Sequence, residues 1–379
     1  MDRNLLLTPG PTHIPPDLCA ALGKPIIHHR TPQFQQYLKE VGEGLQYIFQ
    51  TKNHVYLLAS SGTGTMEAAV ANVVNKGDKV ITIEGGKFGE RWTELCKVYG
   101  AESKVVPVKW GTAVDAKLIK KMLDEDPSIK VVFATLNETS TGVTADIKAL
   151  GEAVKGTNTL LVVDAISGLG VVDFKMDDWN VDVCVAGAHK GFMLPPGLGM
   201  VAVSEKAMKV INACTSPRYY FDLRKYEKAY GKTDTPFTPA INIIVAMVDS
   251  LRKMRAEGLD NMIARFSRLA KGVRAAAKAM NLKLFAEDYC ISTALTPILL
   301  PDGIEAKKVV KAMRDVYGVS VAAGQGDVEN KIIRISHMGA VDEFDMLVGI
   351  GCFEKVLKQF GHKFELGAGL TAAQKIYNE

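Results

Sequence analysis

The sequence of 379 residues has few cysteines, and none of them forms a metal-binding or redox pair. The six are scattered at Cys19, Cys96, Cys184, Cys214, Cys290 and Cys352, without C-x-x-C or C-x-x-x-C spacing. The adjacent His28 and His29 would point to opposite sides of an extended chain, which does not suit a metal either. We therefore expect reduced, buried thiols, no metal site and a cytoplasmic location.

The sequence also lacks the features of a membrane-spanning or exported protein. No apolar run approaches the roughly 18 residues that a membrane helix requires, and the first residues break after three leucines rather than forming a signal peptide. The formal net charge is only +4, from 46 basic and 42 acidic residues, and no stretch is dense in lysine or arginine. We expect neither a membrane nor a nucleic acid as a partner.

What is present is an alternation of apolar segments and amphipathic helical patterns. The strand candidates are 54–58, 79–83, 104–108, 130–135, 159–164, 182–187 and 200–203. Helical patterns between them include 65–74, 89–99, 116–123 and 147–154. Strands that are apolar on both faces and separated by helices predict an α/β fold with a mostly parallel seven-stranded sheet. Ligands of such sheets bind beyond the carboxyl ends of the strands.

The last third of the chain has a different pattern, which predicts a small α+β domain. Its helix candidates are 241–254, 259–280, 304–317 and 343–360, and its strand candidates are 296–300 and 332–336. We predict an extended N-terminal segment over 1–15, a large domain over 16–255 and a small C-terminal domain over 256–379. The proline-rich N-terminal segment contains no predicted helix or strand.

A lysine and an aspartate follow two of the predicted strands. Lys190 comes three residues after the strand that stops at Gly187, and Asp164 ends the preceding apolar run. A pyridoxal phosphate (PLP) enzyme needs this pair, because the lysine holds the cofactor as a Schiff base and the carboxylate keeps the pyridine nitrogen protonated. Taken singly, Lys190 could be a solvated loop residue and Asp164 a helix cap.

Small and hydroxyl residues follow the first strand and open a helix. Ser61, Gly62 and Thr63 could bring backbone N–H groups and the positive end of the helix to a phosphate. The same residues are also ordinary helix caps. The segment matches neither a P-loop nor G-x-G-x-x-G, which disfavours a nucleotide ligand.

Two further candidates lie after the next strands. Phe88, between Gly86 and Gly89, could stack on a flat cofactor ring, although Phe88 and Trp92 could equally form a hydrophobic staple. Thr139, in a segment dense in hydroxyl groups, could donate to the phenolic oxygen of the ring, or could be a solvated loop residue.

Five motifs occur in the order typical of one family. They are Thr8-Pro-Gly-Pro-Thr, Ser61-Gly-Thr-Gly-Thr, Glu138-Thr-Ser-Thr-Gly-Val, Val163-Asp-Ala-Ile-Ser and Lys190-Gly-Phe-Met-Leu-Pro-Pro-Gly-Leu. The chain resembles the class V aminotransferases over essentially its whole length, specifically the alanine–glyoxylate, serine–glyoxylate and serine–pyruvate branch. Each motif is loose, but five in sequence are specific.

The resemblance implies a fold-type I PLP transferase that acts as a homodimer with shared active sites. It gives Lys190 and Asp164 the roles described above, and it places Phe88 where the family stacks an aromatic ring, usually tryptophan. It also places Ser61, Gly62 and Thr63 in the phosphate loop and Thr139 beside the ring oxygen. The implied reaction is transamination of a small amino acid, alanine or serine, with glyoxylate or pyruvate.

The resemblance also implies substrate and cross-subunit contacts. Arg334 matches the arginine that grips the substrate carboxylate, a role that suits a planar guanidinium, and Gly10 is placed with it at the substrate. Thr235 and Thr238 both lie in the region that reaches the partner's phosphate. The choice between these two threonines stays open.

One departure keeps other functions open. His189 precedes the lysine where this branch usually has glutamine, and a His-Lys pair is more typical of cysteine desulfurases and selenocysteine lyases. Those desulfurases need a loop cysteine shortly before the carboxylate-binding arginine, but residues 322–330 contain none, and Cys290 lies too early. A non-catalytic subunit that keeps the fold is a further alternative, which intact Lys190, Asp164 and Arg334 disfavour.

Overall fold

The structure is a computed structural model that describes residues 4–379. Its strands, in chain order, are β1 Leu5–Leu6, β2 His54–Leu58, β3 Lys79–Glu84, β4 Glu102–Pro107, β5 Val131–Thr135, β6 Asn137–Glu138, β7 Val143–Thr144, β8 Leu160–Asp164, β9 Val183–Gly187, β10 Gly199–Val203, β11 Leu295–Leu299, β12 Val319–Ser320, β13 Ala322–Ala323 and β14 Ile332–Ser336.

Thirteen α-helices connect these strands within the described residues. They are α1 Pro16–Leu22, α2 Pro32–Phe49, α3 Gly62–Val73, α4 Lys87–Val98, α5 Ala116–Glu125, α6 Ile147–Val154, α7 Glu205–Ala213, α8 Leu223–Tyr230, α9 Ile241–Glu257, α10 Leu259–Ala279, α11 Ala306–Tyr317, α12 Glu343–Gln359 and α13 Ala368–Tyr377.

The predicted seven-stranded sheet is confirmed, with the order β2-β10-β9-β8-β5-β3-β4. The pairs β9–β8, β8–β5, β5–β3 and β3–β4 are parallel. Only β10 runs against its two neighbours. Every residue of β8, β9 and β10 is buried, because helices cover both faces of the sheet centre. The carboxyl ends of β8 and β9 therefore open at the same edge of the sheet.

The strand β4 begins and ends earlier than the predicted 104–108. It occupies Glu102–Pro107 at the edge of the sheet, and only Val106 in it is buried. An edge strand with one neighbour needs few buried side chains, so its ends leave little apolar signal in the sequence.

The C-terminal part of the chain contains its own sheet and its own hydrophobic core. Strands β11, β14 and β13 form an antiparallel sheet in that order. The core beneath it joins α10, α12 and α13 to the sheet through side chains such as Val273, Ile333 and Phe353. This arrangement agrees with a small α+β unit. The residue limits of the predicted domains stay a prediction.

The expectation that the N-terminal segment has no strand of its own is wrong. Residues Leu5–Leu6 pair in parallel with Val319–Ser320, and Leu7 is fully buried in the C-terminal core. Two residues are too short a strand to leave a periodic pattern in the sequence, so only the tertiary contact shows it. Residues 1–3 of this predicted segment lie outside the described residues.

Residues 4–379 lack two kinds of feature, a helix that could span a membrane and a cluster of metal-binding side chains. None of the helices there combines the length and apolar character needed to cross a bilayer. The same residues contain no cluster of three or more His, Cys, Asp or Glu side chains arranged for a metal ion.

Candidate active site

The sheet brings Lys190 and Asp164 to one buried position. Asp164 is the last residue of β8, and it lies opposite Val185 of the parallel neighbour β9. Lys190 follows three residues after β9 ends, and only 8% of it is exposed, compared with 4% of Asp164. Two parallel strands thus deliver a cation and an anion to the same edge, as the sequence predicts.

A cavity at this edge contains most of the predicted site residues. Its walls are formed by Ser61, Gly62, Thr63, Phe88, Arg91, Thr139, Asp164, Ile166, Ser167, His189 and Lys190. A larger cavity lies elsewhere, between Leu38, Tyr56, Tyr230 and Thr235. Size does not identify the active site here, since the smaller cavity is the one that holds the reactive side chains.

The Asp164 carboxylate has fewer hydrogen-bonding and ionic partners than a buried ionised group needs. Its Oδ1 accepts the N–H of Ile166 at 2.8 Å, and within residues 4–379 no basic side chain forms an ion pair with it. Burial raises the pKa of Asp164 to about 7. A buried carboxylate with this deficit would be stabilised by a protonated ring nitrogen in the cavity.

Lys190 is covered by the N-terminal segment of its own chain. Its amine donates to the carbonyl of Pro9, and Thr12 Oγ1 donates to the Lys190 carbonyl at 2.9 Å. A Cβ at Gly10 would overlap the lysine side chain, and Gly10 also has a φ of +125°. Burial lowers the pKa of Lys190 to about 8, while Asp164 opposes that shift. The amine is therefore much closer to its neutral, nucleophilic form than an exposed lysine.

The N-terminus of α3 forms the side of the cavity predicted to hold a phosphate. Ser61 is the N-cap residue, but its side chain makes no capping bond, so the first-turn N–H groups remain available to a ligand. Gly62 is small because a Cβ would crowd Ile166, which lines the same cavity. Backbone donors, hydroxyls and the helix dipole together suit a phosphate.

Phe88 lies in the first turn of α4 and forms another wall. The guanidinium carbon of Arg91, one turn later, is 4.9 Å from the centre of the Phe88 ring. Trp92 points away and is fully buried, with Nε1 donating to the Ala134 carbonyl at 3.2 Å. Phe88 is therefore free to present its ring to a flat ligand, whereas Trp92 belongs to the core.

Thr139 is held in place by two neighbouring groups. Its Oγ1 lies 2.7 Å from Ser167 Oγ, and its carbonyl accepts from Arg334 Nη1 at 2.8 Å. Ser167 Oγ in turn donates to the Asn137 carbonyl and accepts from the Asn137 side-chain amide. The alternative of a solvated Thr139 is wrong, because the residue is 4% exposed.

Arg334 lies just behind Thr139 rather than in the cavity wall itself. It is in the middle strand of the C-terminal sheet, and its Nε and Nη2 both donate to the Ala323 carbonyl, at 2.9 and 2.7 Å. Burial lowers its pKa to about 10, which still leaves it charged at neutral pH. Each Nη atom keeps a second hydrogen for a carboxylate.

Of the remaining predicted residues, His189 lies at the cavity, whereas Thr235 and Thr238 do not. His189 lines the cavity, and its Nδ1 is buried without a hydrogen-bond partner in the described residues. The structure does not bring Thr235 or Thr238 to this cavity. Thr235 lines the larger cavity described above, and its Oγ1 donates to the Phe237 carbonyl at 2.9 Å.

Four residues of the site were not predicted from the sequence. Arg91, Ile166 and Ser167 line the cavity, and Glu138 accepts the backbone N–H groups of Phe88 and Gly89 at 3.1 and 2.9 Å. The helical spacing from Phe88 to Arg91 was a usable signal, because residues three apart share a face. Glu138 acts across 50 positions of sequence, so no local pattern could show its role.

These residues fit pyridoxal phosphate. A buried amine, a carboxylate that needs a cationic partner, a helix N-terminus without a side-chain cap and an aromatic ring surround one cavity. They match the aldehyde, the ring nitrogen, the phosphate and the ring face of that cofactor.

The comparisons with known proteins agree with this fit. The family model for Aminotransferase class-V matches residues 17–341. The chain is 38% identical to L-aspartate–glyoxylate aminotransferase of Paracoccus denitrificans, over 100% of this chain and 97% of the relative. It is 40% identical to a protein of a Synechococcus strain named soluble hydrogenase, small subunit, over 99% and 98%.

A solved protein structure also has nearly the same fold as this chain. Ureidoglycine–glyoxylate aminotransferase of Bacillus subtilis superposes with a TM-score of 0.95 at 30% identity, covering 99% of this chain and 98% of that one. The fold is therefore that of the fold-type I PLP-dependent transferases. The chain belongs to the class V aminotransferase family and is an aminotransferase that uses pyridoxal phosphate.

Proposed function

We propose that this enzyme transfers the amino group of a small amino acid, alanine or serine, to glyoxylate or pyruvate, with Lys190 as the cofactor's covalent anchor and the base. The observation that carries the proposal is the meeting of Lys190 and Asp164 in one buried cavity. Several relatives are named for transfer to glyoxylate, which supports that acceptor.

Each residue has a task that follows from its surroundings. When bound, pyridoxal phosphate supplies an aldehyde that condenses with amines and a ring that withdraws electrons from the neighbouring carbon. Lys190 Nζ, with its lowered pKa, can remove the proton from the amino donor's α-carbon and would deliver it to the carbon that carried the cofactor's aldehyde. In the second half of the reaction it would move a proton in the reverse direction, to the carbonyl carbon of the oxo acid. Asp164 would hold the ring nitrogen and favour its protonated form.

The other side chains bind and orient. The α3 N-terminus at Ser61–Thr63 would hold the phosphate, Phe88 would cover the ring face, and Thr139 would donate to the ring oxygen. Arg334 is fixed by the Ala323 and Thr139 carbonyls, so its guanidinium is oriented before a substrate arrives. That rigidity suits recognition of the α-carboxylate that amino acids and oxo acids share.

One alternative has a specific observation in its favour. His189 beside Lys190 is typical of lyases that release sulfur or selenium from cysteine or selenocysteine. No cysteine lines the cavity in the described part of the chain, and Cys290 lies in a separate cluster with Val143 and Ala286. We therefore rank the lyase second.

A donor and acceptor panel tests the proposal. Purified PLP-bound enzyme is mixed with alanine, serine, aspartate and cysteine, each with glyoxylate or pyruvate, and the new amino acid is quantified. We expect turnover with alanine or serine. Sulfide release from cysteine without any amino transfer would favour the lyase and contradict the proposal.

A further inference from the structure

Arg91 is a charged residue of the cavity that no role above accounts for. It lines the same cavity as Lys190, Asp164 and Thr63. It is half-buried in the second turn of α4. Its position three residues after Phe88 places both side chains on the cavity face of the helix.

The guanidinium of Arg91 has no carboxylate partner among residues 4–379. Nearby acids are engaged elsewhere: Glu90 pairs with Lys87, Glu67 accepts from Tyr99, and Glu138 accepts backbone N–H groups. The contacts of Arg91 are a 3.2 Å hydrogen bond from Nη1 to Thr63 Oγ1 and the face of Phe88. Since a guanidinium carries five N–H donors, most of its hydrogen-bonding capacity is unused.

The contact with Thr63 locates this unused charge. Thr63 is in the first turn of α3, where N–H groups and the helix dipole already favour an anion. Arg91 is also close enough to lower the pKa of Lys190 and of Asp164. The Arg91 guanidinium adds a full positive charge beside that helix end. This side of the cavity therefore suits an anion with two negative charges, or one with two oxygens that a guanidinium can bind together.

We propose that Arg91 binds an anionic oxygen group of the ligands in this cavity, at the Thr63 side. Two groups have that chemistry: the phosphate of the cofactor and a second carboxylate on the amino donor. The contact with Thr63 favours the phosphate. A carboxylate partner would instead make dicarboxylic donors such as aspartate better than alanine and serine. This case rests on the transamination in the proposed function but replaces the donors proposed there.

The first arm of the test measures cofactor binding without any turnover. Apoenzyme of the wild type, Arg91→Gln and Arg91→Lys is titrated with PLP and with pyridoxal, which lacks the phosphate. Lys97→Gln, an exposed charge removal on the same helix, is the matched control. For a phosphate contact, Arg91→Gln raises the Kd of PLP about tenfold or more and leaves that of pyridoxal within about twofold.

The second arm measures KM for aspartate and for alanine with the same variants saturated with PLP. A carboxylate contact raises KM for aspartate about tenfold and leaves KM for alanine unchanged, with PLP affinity intact. Arg91→Lys keeps the charge but loses the forked geometry, so it shows a smaller effect of the same kind. It also carries the test if Arg91→Gln does not fold.

Two results would overturn the proposal. One is that neither the PLP-to-pyridoxal ratio of Kd nor the aspartate-to-alanine ratio of KM differs from that of the Lys97→Gln control. The other is that PLP and pyridoxal lose affinity equally, which would mean that Arg91 acts only by holding Phe88. Absence of transamination in the wild type would contradict the proposed function, yet the cofactor titration would still decide the role of Arg91.

Discussion

The pKa values of Lys190 and Asp164 are shifted in opposite directions by one cause, which is burial. Burial disfavours the charged form of each, so the pKa of the lysine falls to about 8 and that of the aspartate rises to about 7. Each still stabilises the charge of the other to some degree. At physiological pH the amine therefore has a much larger neutral fraction than an exposed lysine, although the charged form still predominates, and the acid is readily ionised. A neutral amine is required for attachment to an aldehyde, and an ionised acid is required to bind a protonated ring nitrogen.

The pH dependence of cofactor capture follows from the Lys190 pKa. Only the neutral amine attacks an aldehyde, so the capture rate should rise through a midpoint near pH 8 and level off above it, rather than near the ordinary 10.5. Stopped-flow absorbance of apoenzyme mixed with PLP measures this. The Asp164→Asn variant, measured alongside, should have a lower midpoint than the wild type, because it lacks the carboxylate that favours the charged amine. A rate that still climbs above pH 10 would contradict the assignment.

Replacement of Asp164 by asparagine tests its electrostatic role. Asp164→Asn should fold and bind some PLP, but should lose activity by about 10²-fold or more, because a neutral amide no longer favours the protonated ring nitrogen. Steady-state rates and the cofactor's absorbance spectrum check this. Near-wild-type activity in this variant would show that Asp164 only caps the turn through its bond to Ile166.

The part of the site that could be predicted lies at the ends of strands and the starts of helices. Lys190, Asp164 and Ser61–Thr63 are set by local patterns, since an apolar run must end where the sheet opens. The partners of Arg334 could not be predicted, because they are carbonyls of Ala323 and Thr139 from two other segments. Contacts of this kind exist only once the two sheets are assembled.

At the scale of elements, α4 depends on a side chain from another segment. Its N-cap, Gly86, has no side chain, and Glu138 instead accepts the first-turn N–H groups of Phe88 and Gly89. Gly86 must be small, because a Cβ there would overlap Glu138 and Ser140. The ring of Phe88 is thereby positioned by the loop that also carries Thr139.

Glu138→Gln should loosen α4 and the Phe88 wall. The amide keeps one acceptor oxygen and places an NH₂ group against backbone donors, so we expect a loss of about 1–3 kcal/mol in the free energy of unfolding and weaker PLP binding. Chemical denaturation and PLP titration measure the two effects. Glu94→Gln, exposed on the same helix, is the control. If both variants bind PLP as the wild type does, Glu138 does not position Phe88.

Elements buried on both faces were predictable, and those held by long-range contacts were not. Strands β2 and β5 agree with the sequence within a residue, since apolar residues fill both sides. Helix α2 was not predicted, although it begins with Thr31 capping Phe34 and buries Val41, Leu45 and Ile48. Val41, Leu45 and Ile48 have the i, i+4, i+7 spacing of an amphipathic helix, so the sequence did contain a usable signal for α2.

At the scale of the whole molecule, the N-terminal segment connects the C-terminal part of the chain to Lys190. Leu5–Leu6 extend the C-terminal part by pairing with Val319–Ser320. A few residues later, Pro9 and Gly10 lie against Lys190. The same short segment thus contacts both the C-terminal part of the chain and the lysine of the candidate active site.

Assembly is the remaining prediction at this scale. We expect a homodimer in which Thr235 or Thr238 of one subunit reaches the phosphate of the other, because neither lies in its own subunit's cavity. PLP should then strengthen the dimer. Equilibrium sedimentation with and without PLP measures this. A fully active monomer would contradict the shared site.

The central claim is that Lys190 holds the cofactor and carries the chemistry, and one measurement tests it most directly. PLP-bound enzyme is reduced with borohydride, digested and mapped by mass spectrometry, and the same is done with Lys190→Arg. We expect a single labelled peptide containing Lys190 in the wild type, no label in the variant and no amino transfer by the variant. A label on another lysine, or amino transfer by the variant at the wild-type rate, would contradict it.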